Sequence, residues 1–290
     1  MSPGEPVIEA RDLVFAYPAS REPAVRGVTF EVGRGEIFGL LGPSGAGKSS
    51  IQRVLIGLLR GFTGSVRILG RPVRDEGPRL YERIGVGFEL PNHFMKLTAE
   101  ENLRFFSSFY RGPTREPGEL LAMVGLGDDA GKRVDRFSKG MKMRLNFVRA
   151  LLHDPEVLFL DEPTAGLDPA NARVLKDIVL EQKRAGKTIF LTTHSMHDAE
   201  ELCDRVAFLV DGAIVRTGVP AELRAEGASR RVTVEYRRDG RAQSAEFSID
   251  GLGDDAAFLA LLRQAEVVSI HSREPSLEDV FFRVAGRRLH

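Results

Sequence analysis

The chain has 290 residues, 42% of them hydrophobic and 28% charged, and lysine plus arginine equal aspartate plus glutamate at 41 each, so the formal net charge is zero. That length supports one large domain with additions or two domains, and the neutral balance gives no electrostatic case for a nucleic-acid partner. Cys203 is the sole cysteine, which excludes an intrachain disulfide and suits a buried apolar filler in a reducing compartment.

No apolar run approaches the ~20 residues of a membrane helix, and Met1 leads into Pro3, Gly4 and Glu5 rather than into a basic-then-apolar signal. The expectation is a cytosolic chain; any membrane part of its work must come from a separate chain. Residues 7–36 alternate as antiparallel strands: Val7–Glu9, Leu13–Tyr17 and Val28–Val32, divided by Pro18, Pro23 and Gly27. Tyr17 ends the second of these. It reads either as a half-buried strand aromatic or as a flat surface on which an adenine ring stacks. Ile37–Leu41 is a short buried strand. Gly42-Pro43-Ser44-Gly45-Ala46-Gly47-Lys48-Ser49 then fits the phosphate-binding pattern G-x-x-x-x-G-K-[ST] in full. Ile51, Val54, Leu55, Leu58 and Leu59 follow at helical spacing. The loop therefore sits between a strand and a helix N-terminus, where backbone N–H groups and the helix dipole hold a polyphosphate. Lys48 can reach the β- and γ-phosphates, and the Ser49 hydroxyl can ligate Mg²⁺.

Gly64–Gly70 is another short strand, and Ile84–Phe88 a buried one that ends at Glu89. Leu90–Lys96 is irregular and partly apolar. Thr98 with Glu101 makes a capping box that opens a helix through about Tyr110. From there to Leu152 the pattern is helical with glycine and proline breaks, an insert in an α/β core. Its last helix begins at Ser138, carries Met141, Leu145, Val148 and Leu152 as a core stripe, and is ended by Pro155. Phe137-Ser138-Lys139-Gly140-Met141, a hydroxyl and a glycine at a helix start, reads as a second anion cradle. Val157–Leu160 is an apolar strand that finishes in Asp161-Glu162. Ligands bind at the carboxyl ends of strands in open α/β sheets. There one carboxylate can hold Mg²⁺ through water and the other can activate the attacking water. Asp168-Pro169 caps a helix that turns Val174, Leu175, Ile178 and Val179 inward. Thr188–Thr193 is the next strand, with His194 just past its end; an imidazole there can bond a phosphate oxygen or position Glu162. His93, His153, His197, His271 and His290 read as structural. Ser195 with Asp198 is a second capping box, and Arg205–Val210 with Ala213–Arg216 form a hairpin around Asp211-Gly212. Composition shifts at Ala225–Ser229, a linker. Beyond it a small β-β-α-β-α pattern closes the chain, its last helix capped at Ser276.

In this order the motifs resemble the ATP-binding subunit of ATP-binding cassette (ABC) transporters, over about residues 7–225. Gly42–Ser49 stands as Walker A, Val157–Asp161 as Walker B, and Phe137–Met141 as the signature usually written L-S-G-G-Q. Ala165–Asp168 stands as the D-loop. The resemblance implies an α/β fold: a P-loop NTPase core sheet, an N-terminal antiparallel β subdomain, a helical insert over about 90–153 and a small α+β C-terminal module. The cassette domain would span 5–225 and the module 229–290. It implies ATP as the nucleotide and Glu162, His194 and Lys48 as catalytic residues. The implied nucleotide contacts are Tyr17, Gly42, Pro43, Ser44, Gly45, Ala46, Gly47, Lys48, Ser49, Ser50, Ser138, Gly140 and Asp168. The implied Mg²⁺ residues are Ser49, Glu89 and Asp161. Two subunits, identical or paralogous, would pair head to tail, each signature closing on the partner's ATP. An integral membrane permease, contacted through about Leu90–Lys96, would hold the pair at the cytoplasmic face. Two departures stand out: Glu89 where the family commonly has glutamine, and Lys139 where a glycine is usual. Both look like the branch serving ABC-2-type exporters of drugs, antibiotics or lipids. The alternative is a soluble ABC ATPase of translation or DNA repair; the first kind carries two cassettes and the second a long coiled coil, and this chain has one cassette and no sustained heptads.

Overall fold

A computed structural model describes residues 5–286 apart from 19, 227–230, 239 and 274. By internal contacts the chain divides into two units, one running to Val219 and the other starting at Pro220.

The first unit opens with β1 (Ile8–Phe15) and β2 (Val25–Val32). They join β4 (Thr63–Ile68) and the two-residue β5 (Arg71–Pro72) in an antiparallel sheet ordered β2-β1-β4-β5. The two short strands expected at Val7–Glu9 and Leu13–Tyr17 are one strand. The chain does not stop between them; it bulges, with Asp12 at φ 49° and the register against β2 shifting between Ala10 and Leu13. Tyr17 lies two residues beyond that strand, in the loop.

β3 (Ile37–Leu41) leads through the phosphate loop into α1 (Lys48–Leu55). The helix stops earlier than the apolar spacing suggested. Gly57 takes φ 75° after the last turn, and Leu58 is left exposed rather than core-facing. After β5 come the one-turn α2 (Val73–Glu76), a 3₁₀ segment, and β6 (Ile84–Gly87). The helical stretch that follows holds α3 (Ala99–Ser107), α4 (Pro117–Met123) and α5 (Lys139–Arg149). The capping box of Thr98 and Glu101 forms in both directions. α5 ends at Arg149, short of Pro155.

β7 (Val157–Asp161), α6 (Pro169–Arg184), β8 (Thr188–Thr193), α7 (Met196–Leu202), β9 (Arg205–Val210) and β10 (Ala213–Gly218) complete the unit. The main sheet is ordered β10-β9-β3-β8-β7-β6, parallel except for β10. Every residue of β3, β7 and β8 is buried, as expected of parallel strands covered on both faces. Phe30, Phe38 and Phe190 stack where the two sheets meet. On α6, Leu175, Ile178 and Val179 are buried as expected, whereas Val174 is exposed and Lys176 is buried instead.

The second unit starts with α8 (Pro220–Glu226). Residues 227–229 of the expected linker, and His290, lie outside the described residues. Then come β11 (Arg231–Arg238), β12 (Arg241–Ser248), α9 (Ala256–Gln264), β13 (Glu266–Arg273) and α10 (Leu277–Ala285). The strands form an antiparallel sheet ordered β12-β11-β13. Val232 and Val234 of β11 pack against Phe258 of α9 in a small core of their own. A reciprocal cap of Ser276 and Asp279 opens α10.

Candidate functional site

The phosphate loop is shaped by its glycines. A Cβ on Gly42 would collide with the Leu209 carbonyl oxygen. Gly47, the N-cap of α1, takes φ 108°, and a Cβ there would lie 2.5 Å from the Ala24 carbonyl oxygen. Lys48 follows, only 7% exposed. Its Nζ donates to the Gly42 carbonyl at 2.7 Å and the Pro43 carbonyl at 3.1 Å, bending the side chain back over the loop. Burial pushes the Lys48 pKa down; the carboxylates of Glu162, Asp161 and Glu89 oppose this without cancelling it. The charged ammonium is therefore not fully compensated within the chain.

A cavity of about 330 Å³ opens over this loop. Ser44, Gly45, Gly47, Lys48, Ser49 and Ser50 line its floor. Tyr17 and Ala24 line one wall; Glu89, Glu162 and His194 also border it. The Tyr17 ring stands edge-on to Phe15 at 4.9 Å, and its hydroxyl is 3.0 Å from Ser50 Oγ. Both contacts hold the ring at the border of the cavity. Glu89 is exposed at the end of β6.

Asp161 and Glu162 end β7 side by side but are held differently. Asp161 Oδ1 accepts from Thr192 Oγ1 and lies 3.4 Å from Ser49 Oγ. Glu162 adopts φ 48°, rare for a residue with a side chain. Its Oε2 accepts from Thr193 Oγ1 at 3.1 Å, and its Oε1 meets His194 Nδ1 at 2.9 Å. Oε1 also lies 3.8 Å from Lys48 Nζ. Thr192 and Thr193 were missed in the sequence, although two threonines closing an apolar strand beside a histidine were a readable signal.

The oxygens of Ser49, Asp161 and Glu89 are hard donors of the kind Mg²⁺ takes. Among the described residues no group of three or more His, Cys, Asp or Glu side chains is placed to hold a metal by itself. The donor set fits an ion that completes its shell with phosphate oxygens and water, which is the habit of Mg²⁺.

Ser138, Gly140 and Asp168 do not border the cavity. Ser138 is exposed, and its Oγ accepts from Met141 N at 3.2 Å as the N-cap of α5. Gly140 faces Leu167, and Lys139 runs over Gly166, so the signature segment packs on the 165–168 turn. Asp168, also exposed, caps α6 through Asn171 N at 3.0 Å.

Fold and site define a phosphate-loop nucleoside triphosphatase. The model of the ABC transporter family matches residues 25–165, and that of the fluoroquinolone efflux ABC transporter C-terminal domain matches residues 230–274. A fluoroquinolones export ATP-binding protein of Mycobacterium tuberculosis is 60% identical over 287 residues, covering 99% of this chain and 95% of that protein. The Nod factor export ATP-binding protein I of Rhizobium meliloti is 39% identical, covering 92% and 85%. Among solved structures, an ATP-binding subunit of an ABC transporter superposes with TM-score 0.69 at 32% identity, covering 77% of this chain and 95% of that one. A dimeric ATP-binding cassette in a post-hydrolysis state with ADP and Pi superposes with TM-score 0.67 at 26% identity, covering 73% and 98%. The chain belongs to the ABC transporter family, among its ATP-hydrolysing, ATP-binding subunits.

Proposed function

We propose that this chain hydrolyses ATP with Glu162 as general base, Lys48 as the phosphate-binding cation and His194 as the group that holds the base. The observation that carries this is the Glu162 carboxylate, 7% exposed, bordering the phosphate cavity and gripped by Thr193 and His194. A carboxylate fixed by two partners keeps an oxygen aimed at a water beside the terminal phosphate. Loop N–H groups and Lys48 take the phosphates. Ser49 and Asp161, with Glu89 beside them, would hold Mg²⁺, which supplies charge neutralisation when bound.

Tyr17 is proposed as the adenine platform. Tyr17→Ala should weaken ATP binding about 5- to 150-fold, since a stacked base is worth about 1–3 kcal/mol. Equal loss for ATP and for inorganic triphosphate would remove Tyr17 from that role.

The cassette is proposed to span 5–225 and the accessory module 229–290, although by contacts within the chain α8 goes with the second unit. Two cassettes are proposed to pair head to tail, Ser138 and Gly140 of one closing on the nucleotide of the other. The pair would drive a separate membrane permease, which keeps it at the cytoplasmic face of the membrane. No helix among the described residues is long and apolar enough to cross a membrane. Export is the reading favoured over translation or DNA repair, because the likeness to named export proteins runs nearly end to end. Drug-like compounds of the fluoroquinolone kind are the proposed cargo.

The proposed permease contact is Leu90–Lys96. Leu90 is 73% exposed and Met95 41%, on a loop pinned to α3 by Asn102, whose side chain bonds both the N–H and the carbonyl of Phe94. Phe94 meets the Phe105 ring edge-on at 4.6 Å, so changing it also disturbs α3. Leu90→Ser with Met95→Ser is the cleaner test. Hydrolysis by the isolated chain should be unchanged, while stimulation by the co-purified membrane subunit and drug efflux from vesicles are lost. Efflux at the wild-type rate would remove the loop from the coupling.

A further inference from the structure

Ser195 and Asp198 were expected to cap α7 reciprocally. Only half of that cap forms. Asp198 N donates to Ser195 Oγ at 3.2 Å, but Ser195 N donates to Thr193 Oγ1 at 3.0 Å instead of to Asp198. The Asp198 carboxylate is used elsewhere. Thr164 Oγ1 donates to its Oδ2 at 2.7 Å, and Lys176 Nζ lies 2.5 Å from its Oδ1. Lys176 is the buried lysine of α6, 8% exposed, and it also donates to Glu201 at 2.7 Å.

These contacts close a ring. Thr164 stands two residues after Glu162, and Ser195 stands next to His194. From Glu162 the ring runs through the Thr193 hydroxyl, the Ser195 backbone and hydroxyl, Asp198 and Thr164, and back along the chain to Glu162. Burial alone pushes the Asp198 pKa up, yet the bonds from Lys176 and Thr164 outweigh it and the net shift is downward. A buried ion pair is a poor source of stability, because desolvation offsets most of its attraction. It is a good source of fixed geometry. The residue at the head of the ring, Glu162, sits at a positive φ that persists only where the surroundings over-determine it.

We propose that Asp198, anchored by Lys176, is a positioning residue for ATP hydrolysis: through Thr164 it ties the segment carrying Glu162 to the segment carrying His194 and so keeps the carboxylate aimed. This rests on Glu162 being the base. Asp198 does not border the phosphate cavity. It acts through the angle at which Glu162 and His194 meet.

The test is Thr164→Val, close in shape, which leaves the Asp198–Lys176 pair in place, with Asp198→Ala as a second variant. Each should lower kcat roughly 3- to 10-fold, about the worth of one net hydrogen bond, with KM for ATP unchanged; the melting temperature should hold in Thr164→Val and fall in Asp198→Ala, which takes one of two carboxylate partners from the buried Lys176. The double variant should lose no more than the larger single, because both cut the same tie. Thr164→Ser should restore kcat. Unchanged kcat in Thr164→Val, or KM and melting temperature moving together with it, overturns the tie. Glu162→Gln is run alongside: normal turnover there overturns the base reading and the tie with it, whereas lost turnover there with normal turnover in Thr164→Val overturns the tie alone.

Discussion

Glu162→Gln should lower kcat for ATP hydrolysis roughly 10²- to 10⁴-fold, the usual worth of a positioned general base, and leave ATP binding intact. Glutamine keeps the length and shape of the side chain, and its amide oxygen can still accept from Thr193, which now donates to Oε2 at 3.1 Å. It cannot take a proton from water at neutral pH. Binding should not fall, because the change removes a negative charge 3.8 Å from Lys48 Nζ, on the side where the phosphates arrive. Lys48 does lose the carboxylate that contributes most to keeping it charged, but the polyphosphate supplies that pull in its place. Equilibrium ATP binding and steady-state hydrolysis on one preparation separate the two effects. Turnover near the wild-type rate would take Glu162 out of the base role.

The residues most legible in the sequence are those whose chemistry is local. The phosphate loop is contiguous, and its glycines are required by clashes with Leu209 and Ala24 that hold whatever lies farther away. Asp161 and Glu162 were readable because a fully buried parallel strand is one apolar run, and the polar residue that ends it faces the ligand edge. What could not be read depended on partners distant in the chain. β1 looked like two strands because an alternation break is the same in sequence whether the chain turns or bulges; here β2 and β4 pair both halves. The cap at Ser195 fitted its spacing, but spacing says nothing of Thr164 or Lys176, which compete for the Asp198 carboxylate. On α6 the apolar spacing expects Val174 inward, yet Val174 is exposed and Lys176 is buried instead, drawn in by its pairs with the Asp198 and Glu201 carboxylates. In each case a tertiary partner overrode a correct local preference.

Ser138→Asp should abolish the ATP-bound dimer that Glu162→Gln accumulates, and do so without loosening the subunit. Ser138 is exposed, and its hydroxyl caps α5 by accepting from Met141 N. Aspartate caps a helix as well as serine does, and a negative charge at a helix N-terminus is favourable by about 0.3–1 kcal/mol. The isolated subunit should therefore melt no lower than before and bind ATP as before. In the proposed pair, however, the same position meets the partner's polyphosphate. A carboxylate there replaces a neutral donor with a like charge in a water-poor contact, where an uncompensated charge costs about 3–5 kcal/mol, or more than 100-fold in the pairing constant. Ser138→Ala gives the opposite signature: it loses the cap, about 0.5–2 kcal/mol of stability, and adds no repulsion, so the dimer is weakened but survives. Light scattering of both variants in the Glu162→Gln background, with and without ATP, reads the difference. If Ser138→Asp still pairs on ATP while its melting temperature holds, then Ser138 does not face the neighbour's phosphates, and the nucleotide is not shared between two cassettes in the way proposed.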